Sequence, residues 1–216
     1  MELLVVAGIL VILAIISVPV TARVREYASN IRCVKNLKEL GHGIILFTLD
    51  NNGRMPPHME NPPGVFFRGQ VPSWGPTWGE YIVKIYLNGN KQFFVCPFRP
   101  KTWGEAAGYY LDYAYNDRFY PRISDQSEER LGLIRNTITN PATVILLGDC
   151  ARYSGTTPVG GYYSMQAADR LFPRHPGSRV NVLYLDLHVE SHQYTRTGSL
   201  PPVDHPLGTN HFKPQQ

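Results

Sequence analysis

A long uncharged stretch at the amino terminus restricts the fold of this chain more than any other feature. The eighteen residues from Leu3 to Val20 carry no charge and are mostly Leu, Val and Ile. As a helix rising about 1.5 Å per residue they would be roughly 27 Å long, close to the hydrocarbon thickness of a bilayer. The stretch therefore predicts a helix that is surrounded by lipid or by other helices.

The residues that follow continue the helical pattern on one face only. Apolar residues recur at steps of three and four, at Val24, Tyr27, Ile31, Val34, Leu37, Leu40, Ile44 and Phe47. Asp50-Asn51-Asn52-Gly53 is a turn signal and marks the predicted end. The sequence thus predicts one helix of about fifty residues, roughly 70 Å long. Residues 1–22 form its fully apolar transmembrane or filament-core half, and residues 23–50 its amphipathic continuation.

The fully apolar half has three interpretations. A secretory signal peptide is disfavoured because Glu2, and no Lys or Arg, precedes the apolar core, although Val20-Thr21-Ala22 would suit a peptidase. An ordinary membrane anchor fits the length, but the arginines from Arg23 onward would place the remaining chain in the cytoplasm. We favour a segment that lies first in a membrane and later inside a protein assembly.

Residues 51–197 indicate a head of short strands and long loops. Residues 91–98 and 142–149 are strand-like, and 77–87 is a short helix or strand. Residues 179–194 form a hairpin candidate in which Val180, Val182 and Tyr184 face one way. The predicted class is α+β, with the long helix packed on a small antiparallel sheet. Residues 198–216 have little apolar pattern and predict an extended carboxy-terminal arm.

Charge and motif content exclude several functional classes. The net charge is +4, but basic and acidic residues are interspersed, so we expect no nucleic-acid partner. Cys33, Cys96 and Cys150 have no CxxC spacing, which excludes a zinc ribbon and a thioredoxin-like motif. No nucleophile or phosphate-loop motif is present, so we do not expect an enzyme.

The carboxy-terminal histidines are candidate metal ligands. His175, Asp186, His188 and His192 are candidates, with Asp149 as a further oxygen donor. We favour polar residues that fix loops by hydrogen bonds, and predict no metal and no cofactor. A structural calcium ion is not supported, since no Asp-rich loop is evident.

Aromatic residues are concentrated in the middle of the chain. They suit either a sugar-binding platform or a core, and we favour the core. The set is Trp74, Trp78, Trp103, Tyr109, Tyr110, Tyr113 and Tyr115.

The opening segment ELLVVAGILVILAIISVP resembles the segment after the peptidase site in type IV pilins and type II secretion pseudopilins. In that family a glutamate near the mature amino terminus and a proline seventeen residues later match Glu2 and Pro19. Segments 33–56, 94–100, 113–116, 140–149 and 174–191 resemble, in order, landmarks of G-type pseudopilin-like proteins that end in a His-X9-Asp-Gly motif. Here ten residues separate His175 from Asp186, and Leu187, which precedes His188, replaces the glycine. The lost glycine predicts that a turn with positive φ has been relaxed.

The resemblance implies a structural subunit of a filament. Its partners would be copies of itself, the bacterial inner membrane before assembly, and the pilus or secretion machinery, with the filament in the periplasm or outside the cell. Glu2 would meet the amino terminus of a neighbouring subunit, and Pro19 would soften the helix. The positions of Cys33 and Cys96 imply either a disulfide between helix and head or two buried thiols. We expect Cys150 to be a core residue. The alternative function is a membrane-anchored, monomeric periplasmic binding module.

Overall fold

The computed structural model describes residues 2–57, 77–103, 111–119, 133, 135–154, 157–165, 167–194 and 213. Within the amino-terminal helix, the side chains of residues 2–4, 14, 16–20 and 22 are outside this description. The predicted roles of the Glu2 and Pro19 side chains, and the predicted arm at 198–216 apart from residue 213, therefore lie outside the described residues. So do Trp74, Tyr109 and Tyr110.

Two α-helices carry most of the helical structure. Helix α1 spans Glu2–Asp50 and helix α2 spans Trp78–Tyr86. The carboxy end of α1 is closed by Gly53, whose N–H donates to the Thr48 carbonyl at 2.7 Å with φ at 79°. Short 3-10 helices cover Lys91–Phe94, Asp117–Phe119, Arg135–Thr137, Pro141–Thr143 and Ala168–Arg170.

The two halves of α1 have different surroundings. In the second half one stripe is buried beneath the head, formed by Cys33, Leu37, Leu40, Ile44 and Phe47. The predicted stripe is wrong in its first part, because the head does not reach Val24, Tyr27 and Ile31, which are all more than half exposed. In the first half the described large apolar side chains between Val5 and Ile15 are all more than half exposed. Among the side chains that the structure describes, no helix offers an apolar stretch long enough to span a membrane.

A five-stranded sheet packs on the second half of α1. Its strands are β1 (Tyr113–Asn116), β2 (Ile145–Asp149), β5 (Ser164–Met165), β6 (Arg179–Tyr184) and β7 (Val189–Gln193), in the order β5-β1-β2-β6-β7. Strands β3 (Arg152–Ser154) and β4 (Thr157–Gly160) form a separate pair. The α+β class is confirmed, but the expected antiparallel sheet is mixed, because β1 and β5 pair in parallel.

The alternation along β6 decides which face of the sheet meets the helix. Leu183 and the following Leu185 lie in the core shared with α1, α2 and β1. Val180, Val182 and Tyr184 lie in a second core on the opposite face of the sheet. The predicted hairpin and the shared face of these three residues are therefore confirmed.

Two further expectations are corrected by the head. Residues 91–98 form no strand, because Lys91–Phe94 is a 3-10 helix in which the Asn90 side chain accepts from Gln92 N–H at 3.1 Å. Pro97 also lacks the N–H that a ladder needs. Trp78, Tyr113 and Tyr115 are fully buried, which confirms the core interpretation for them and excludes a surface platform.

The turn between β6 and β7 has kept its left-handed residue. Leu187 has φ at 72°, and its N–H donates to the Tyr184 carbonyl at 2.9 Å. The expectation that loss of glycine had relaxed this turn is wrong. The Leu187 side chain is half-buried against α1, where a Cβ added at Gly41 would come within 2.9 Å of it.

Candidate functional site

Four segments that are distant in sequence meet at one buried point between α1 and the sheet. Cys33 belongs to α1, Cys96 follows the 3-10 helix Lys91–Phe94, Asp149 ends β2, and His175 precedes β6. One ligand atom from each residue lies within 4.8 Å of the others, and all four residues are buried. We call these four residues the Cys-Asp-His cluster.

Local structure fixes each member of the cluster. Cys33 lies on the stripe of α1 that the head covers. The Cys96 N–H donates to Asp112 Oδ2 at 2.9 Å, and the Asn181 N–H of β6 donates to Asp149 Oδ2 at 2.7 Å. His175 is bridged to Arg179 by backbone hydrogen bonds of 3.1 and 3.2 Å across a tight turn. The cluster is therefore built from main-chain geometry as well as from side-chain packing.

His175 Nε2 is the centre of the cluster. It lies 2.9 Å from Asp149 Oδ2, 3.3 Å from Cys33 Sγ and 3.8 Å from Cys96 Sγ. The Asn181 side-chain nitrogen approaches the same ring atom at 3.1 Å and Cys33 Sγ at 3.4 Å. Cys33 Sγ is also 3.5 Å from Asp149 Oδ1. The other three members of the cluster and Asn181 thus converge on the His175 ring nitrogen.

A buried ion-pair network lies beside the cluster. Asp112 pairs with Arg99 and with Arg174, whose Nη1 is 3.3 Å from Asp112 Oδ1. Arg174 also lies 3.9 Å from Asp149 Oδ1 and donates to the Cys150 carbonyl. Burial alone would lower the pKa of Arg174, but Asp149 and Asp112 outweigh burial and raise it. Arg174 therefore remains charged and offsets the two buried carboxylates.

The pKa values within the cluster are displaced in a consistent way. Burial alone would lower the pKa of His175, but hydrogen bonds to Asp149 and Cys96 raise it to about 9. Burial alone would raise the pKa of Cys96, whereas hydrogen bonds with Cys33 and His175 lower it to about 6. Burial raises the pKa of Cys33 well above its usual value, and the neighbouring Cys96 adds to the effect. The hydrogen bond between Cys96 and His175 lowers the pKa of the thiol and raises the pKa of the imidazole, so each residue stabilises the charged form of the other.

Several buried polar atoms around the cluster form no hydrogen bond within the described parts of the chain. They are Nδ1 of His175, Oδ1 of Asn181, and Nε and Nη1 of Arg174. Unsatisfied polar atoms are uncommon in a protein interior. The two Arg174 atoms lie within ion-pair distance of Asp112 and Asp149, and as donors of a cation they cannot ligate a metal ion. The cluster therefore combines four closely spaced ligand groups with nearby polar atoms whose hydrogen-bonding capacity is not filled.

The cysteines are free thiols in the structure. Cys33, Cys96 and Cys150 are all buried and unbridged, so the Cys33–Cys96 disulfide is not formed here. Cys150 is a core residue, as expected, and its thiol donates to the Tyr162 carbonyl at 2.9 Å.

The histidines and carboxylates grouped from sequence separate into two places. His175 and Asp149 belong to the buried cluster, whereas Asp186, His188 and His192 lie on the β6–β7 hairpin. There Asp186 Oδ1 accepts from the His188 N–H at 3.1 Å, and the His188 ring stacks on Tyr184 with centroids 4.3 Å apart. Asp186 and His188 thus interact with each other within the β6–β7 turn, and their predicted role in fixing the loop stays a prediction.

The sequence did not indicate that Cys33 and Cys96 lie beside Asp149 and His175. No spacing motif links the four cluster residues, because each comes from a separate segment. One signal was available in β6, where Asn181 occupies the face that Leu183 and Leu185 bury. A polar residue at such a position indicates a buried partner.

The chain matches no protein-family model, no curated protein and no solved structure. We therefore describe the chain by its structure. It is an α+β protein whose amino-terminal helix has an exposed apolar first half, and a buried Cys-Asp-His cluster lies between this helix and the sheet.

Proposed function

We propose that this protein is a structural subunit of a type IV pilus-like or pseudopilus filament, assembled through the first half of α1. The observation that carries the proposal is the unequal exposure of α1. One face of residues 33–47 packs under the head, whereas eight large apolar side chains between Val5 and Ile15 are exposed.

The exposed residues surround the helix axis. Ile9, Leu10, Val11, Ile12 and Leu13 are consecutive, and each is more than half exposed. Successive residues point about 100° apart, so this run faces every direction. Burying one large aliphatic side chain contributes about 1.5–3 kcal/mol relative to leaving it in water. A helix of this kind is stabilised by neighbours on all sides, which a helical bundle of identical subunits provides.

Identical neighbours also suit the residues at the start of the chain. A carboxylate within an apolar bundle is costly unless it is paired. In the assembly, Glu2 pairs with the amino terminus of an adjacent subunit and thereby sets the register between them. Before assembly the same segment is held in the bacterial inner membrane, and assembly exchanges lipid for protein around it. The head then forms the outer surface of the filament.

The pairing role of Glu2 is tested by Glu2→Ala in cells that produce the protein. We expect filaments to be lost while membrane insertion is retained, because the apolar residues that favour lipid are unchanged. Glu26→Ala, at an exposed glutamate later in α1, is the matched control and should assemble normally. The measurement is the amount of the 24.4 kDa chain in the material sheared from cells.

Two results would contradict this account. Normal filaments from Glu2→Ala would remove the register role of the carboxylate. Absence of the wild-type chain from the sheared fraction, with all of it in membranes as single molecules, would favour the membrane-anchored binding module.

A further inference from the structure

We propose that the Cys-Asp-His cluster binds one Zn²⁺ ion through Cys33 Sγ, Cys96 Sγ, one Asp149 oxygen and His175 Nε2. The bound ion would join α1 to the head. This inference concerns the head and is independent of filament assembly.

The distances between donor atoms suit a four-coordinate ion. Ligands at about 2.0–2.3 Å from a tetrahedral zinc ion stand roughly 3.3–3.8 Å apart. His175 Nε2 lies 3.3 Å from Cys33 Sγ and 3.8 Å from Cys96 Sγ, and Cys33 Sγ lies 3.5 Å from Asp149 Oδ1. His175 Nε2 also lies 2.9 Å from Asp149 Oδ2, and all four ligand atoms lie within 4.8 Å of one another. Binding therefore requires this hydrogen bond to open and the ligand atoms to close around the ion.

The chemical types of the four ligand atoms determine which metal ion the site would prefer. Two thiolates with an imidazole suit zinc, whereas calcium and magnesium take oxygen ligands. All four ligand residues are buried, at 4% exposure or less. Four protein ligands in a closed interior are typical of a structural zinc site, because a catalytic site keeps one position for water or substrate.

The surroundings provide the outer support that such a site requires. Asp149 Oδ2 accepts from the Asn181 N–H at 2.7 Å, and the Asn181 side chain donates to Cys33 Sγ at 3.4 Å. Hydrogen bonds of this kind orient ligands and tune their affinity for the metal. The Asn181 side-chain nitrogen also donates to Asn30 Oδ1 at 3.0 Å, which holds the amide beside the cluster.

The charges also balance. Zn²⁺ with two thiolates and one carboxylate carries one excess negative charge, and Arg174 lies 3.9 Å from Asp149 to offset it. Arg174 also pairs with Asp112, as does Arg99, so the two arginines together offset the charge of Asp112 and the excess charge of the zinc site. Binding releases the remaining thiol and imidazole protons to solvent, so the loaded site is neutral as a whole and its burial is not costly.

The ion would act as a cross-link. Cys33 is on α1 and the other ligands are on the head, so removing the metal should loosen the head from the helix. Because the ligands span most of the chain, the ion stabilises the folded state and has no equivalent site in the unfolded chain.

The test is the metal content of the full-length protein, purified in detergent with its thiols reduced and supplied with zinc. We expect one zinc per chain in the wild type, and an X-ray absorption spectrum with two sulfur neighbours. Cys33→Ser and Cys96→Ser should each lose zinc. Cys150→Ser, at an equally buried thiol outside the cluster, is the matched control and should keep it.

The wild-type measurement keeps the proposal testable even if a ligand variant does not fold. Chelator treatment of the wild type should expose two extra reactive thiols and lower the melting temperature, and zinc should reverse both. Less than stoichiometric zinc, a Cys33–Cys96 disulfide in the reduced preparation, or copper or iron in preference to zinc would overturn the proposal. Each of these results is distinct from failure to form filaments, which tests the proposed function instead.

Discussion

Leu187 shows how a single residue joins the β6–β7 turn to the helix. Its φ of 72° lies in the left-handed region, which costs a residue with a side chain about 1–2 kcal/mol. The side chain packs on α1 beside Gly41, where glycine leaves room for it. The packing of the Leu187 side chain between helix and hairpin therefore offsets the cost of its left-handed backbone.

We predict that Leu187→Gly is more stable than Leu187→Ala by about 1 kcal/mol, because both lose the side chain but only glycine relieves the left-handed strain. At Leu183, a core residue of β6, the order should reverse, since glycine weakens a strand. Chemical denaturation of the four variants measures the differences. Equal or greater stability of Leu187→Ala would mean that the turn relaxes when the side chain is shortened.

The residues of the site could be predicted only in part from the sequence. His175 and Asp149 were both candidates, because their types and positions suggested ligands. Cys33 and Cys96 were expected to meet each other, but nothing local indicates that His175, which is 142 positions after Cys33, lies 3.3 Å from its sulfur. Contacts between distant segments depend on the packing of the whole head, which no short pattern encodes.

At the scale of elements, the contact between α1 and the sheet depends on close approach. A Cβ at Gly41 would lie 2.5 Å from Leu183 Cδ2, and one at Gly43 would lie 2.5 Å from Ile82 Cγ2. Both neighbours are fully buried, so they have little room to move. These two glycines let β6 and α2 pack directly against the helix backbone.

We predict that Gly41→Val destabilises the protein by about 1–3 kcal/mol, because the added methyl groups overpack the core. Gly8→Val is the matched control in the same helix, since nothing lies within 4 Å of a Cβ placed there. The free energy of unfolding of the detergent-solubilised chain measures both. A neutral Gly41→Val would mean that the helix and sheet can separate without loss.

Element prediction succeeded where the pattern was repeated and failed where the backbone had special chemistry. The period of 3.6 residues correctly identifies the buried face of α1 from Leu37 to Phe47, and the period of 2 identifies the β6–β7 hairpin. The earlier part of the predicted stripe is wrong, because Val24, Tyr27 and Ile31 are exposed. Strand β2 follows from its residue types, since all five of its residues are buried and show no alternation. Residues 91–94 were misread because their aromatic content resembles a strand, while Asn90 and the nearby Pro97 favour a turn of 3-10 helix. The parallel pairing of β5 could not be read from so short a strand.

At the scale of the whole molecule, the chain has two parts with different partners. The head has its own core, and its cluster joins it to the second half of α1. The large apolar side chains that the structure describes in the first half of α1 are exposed and face all directions. The central claim is that copies of the same helix cover these side chains.

Electron cryomicroscopy of material sheared from cells that produce the wild-type chain tests this claim most directly. We predict helical polymers whose core is a bundle of the first halves of α1, with the heads arranged outside. Density for residues 5–15 should be enclosed by neighbouring helices. Single molecules whose apolar helix remains in lipid or detergent, with no helical polymer in the sheared material, would contradict the account.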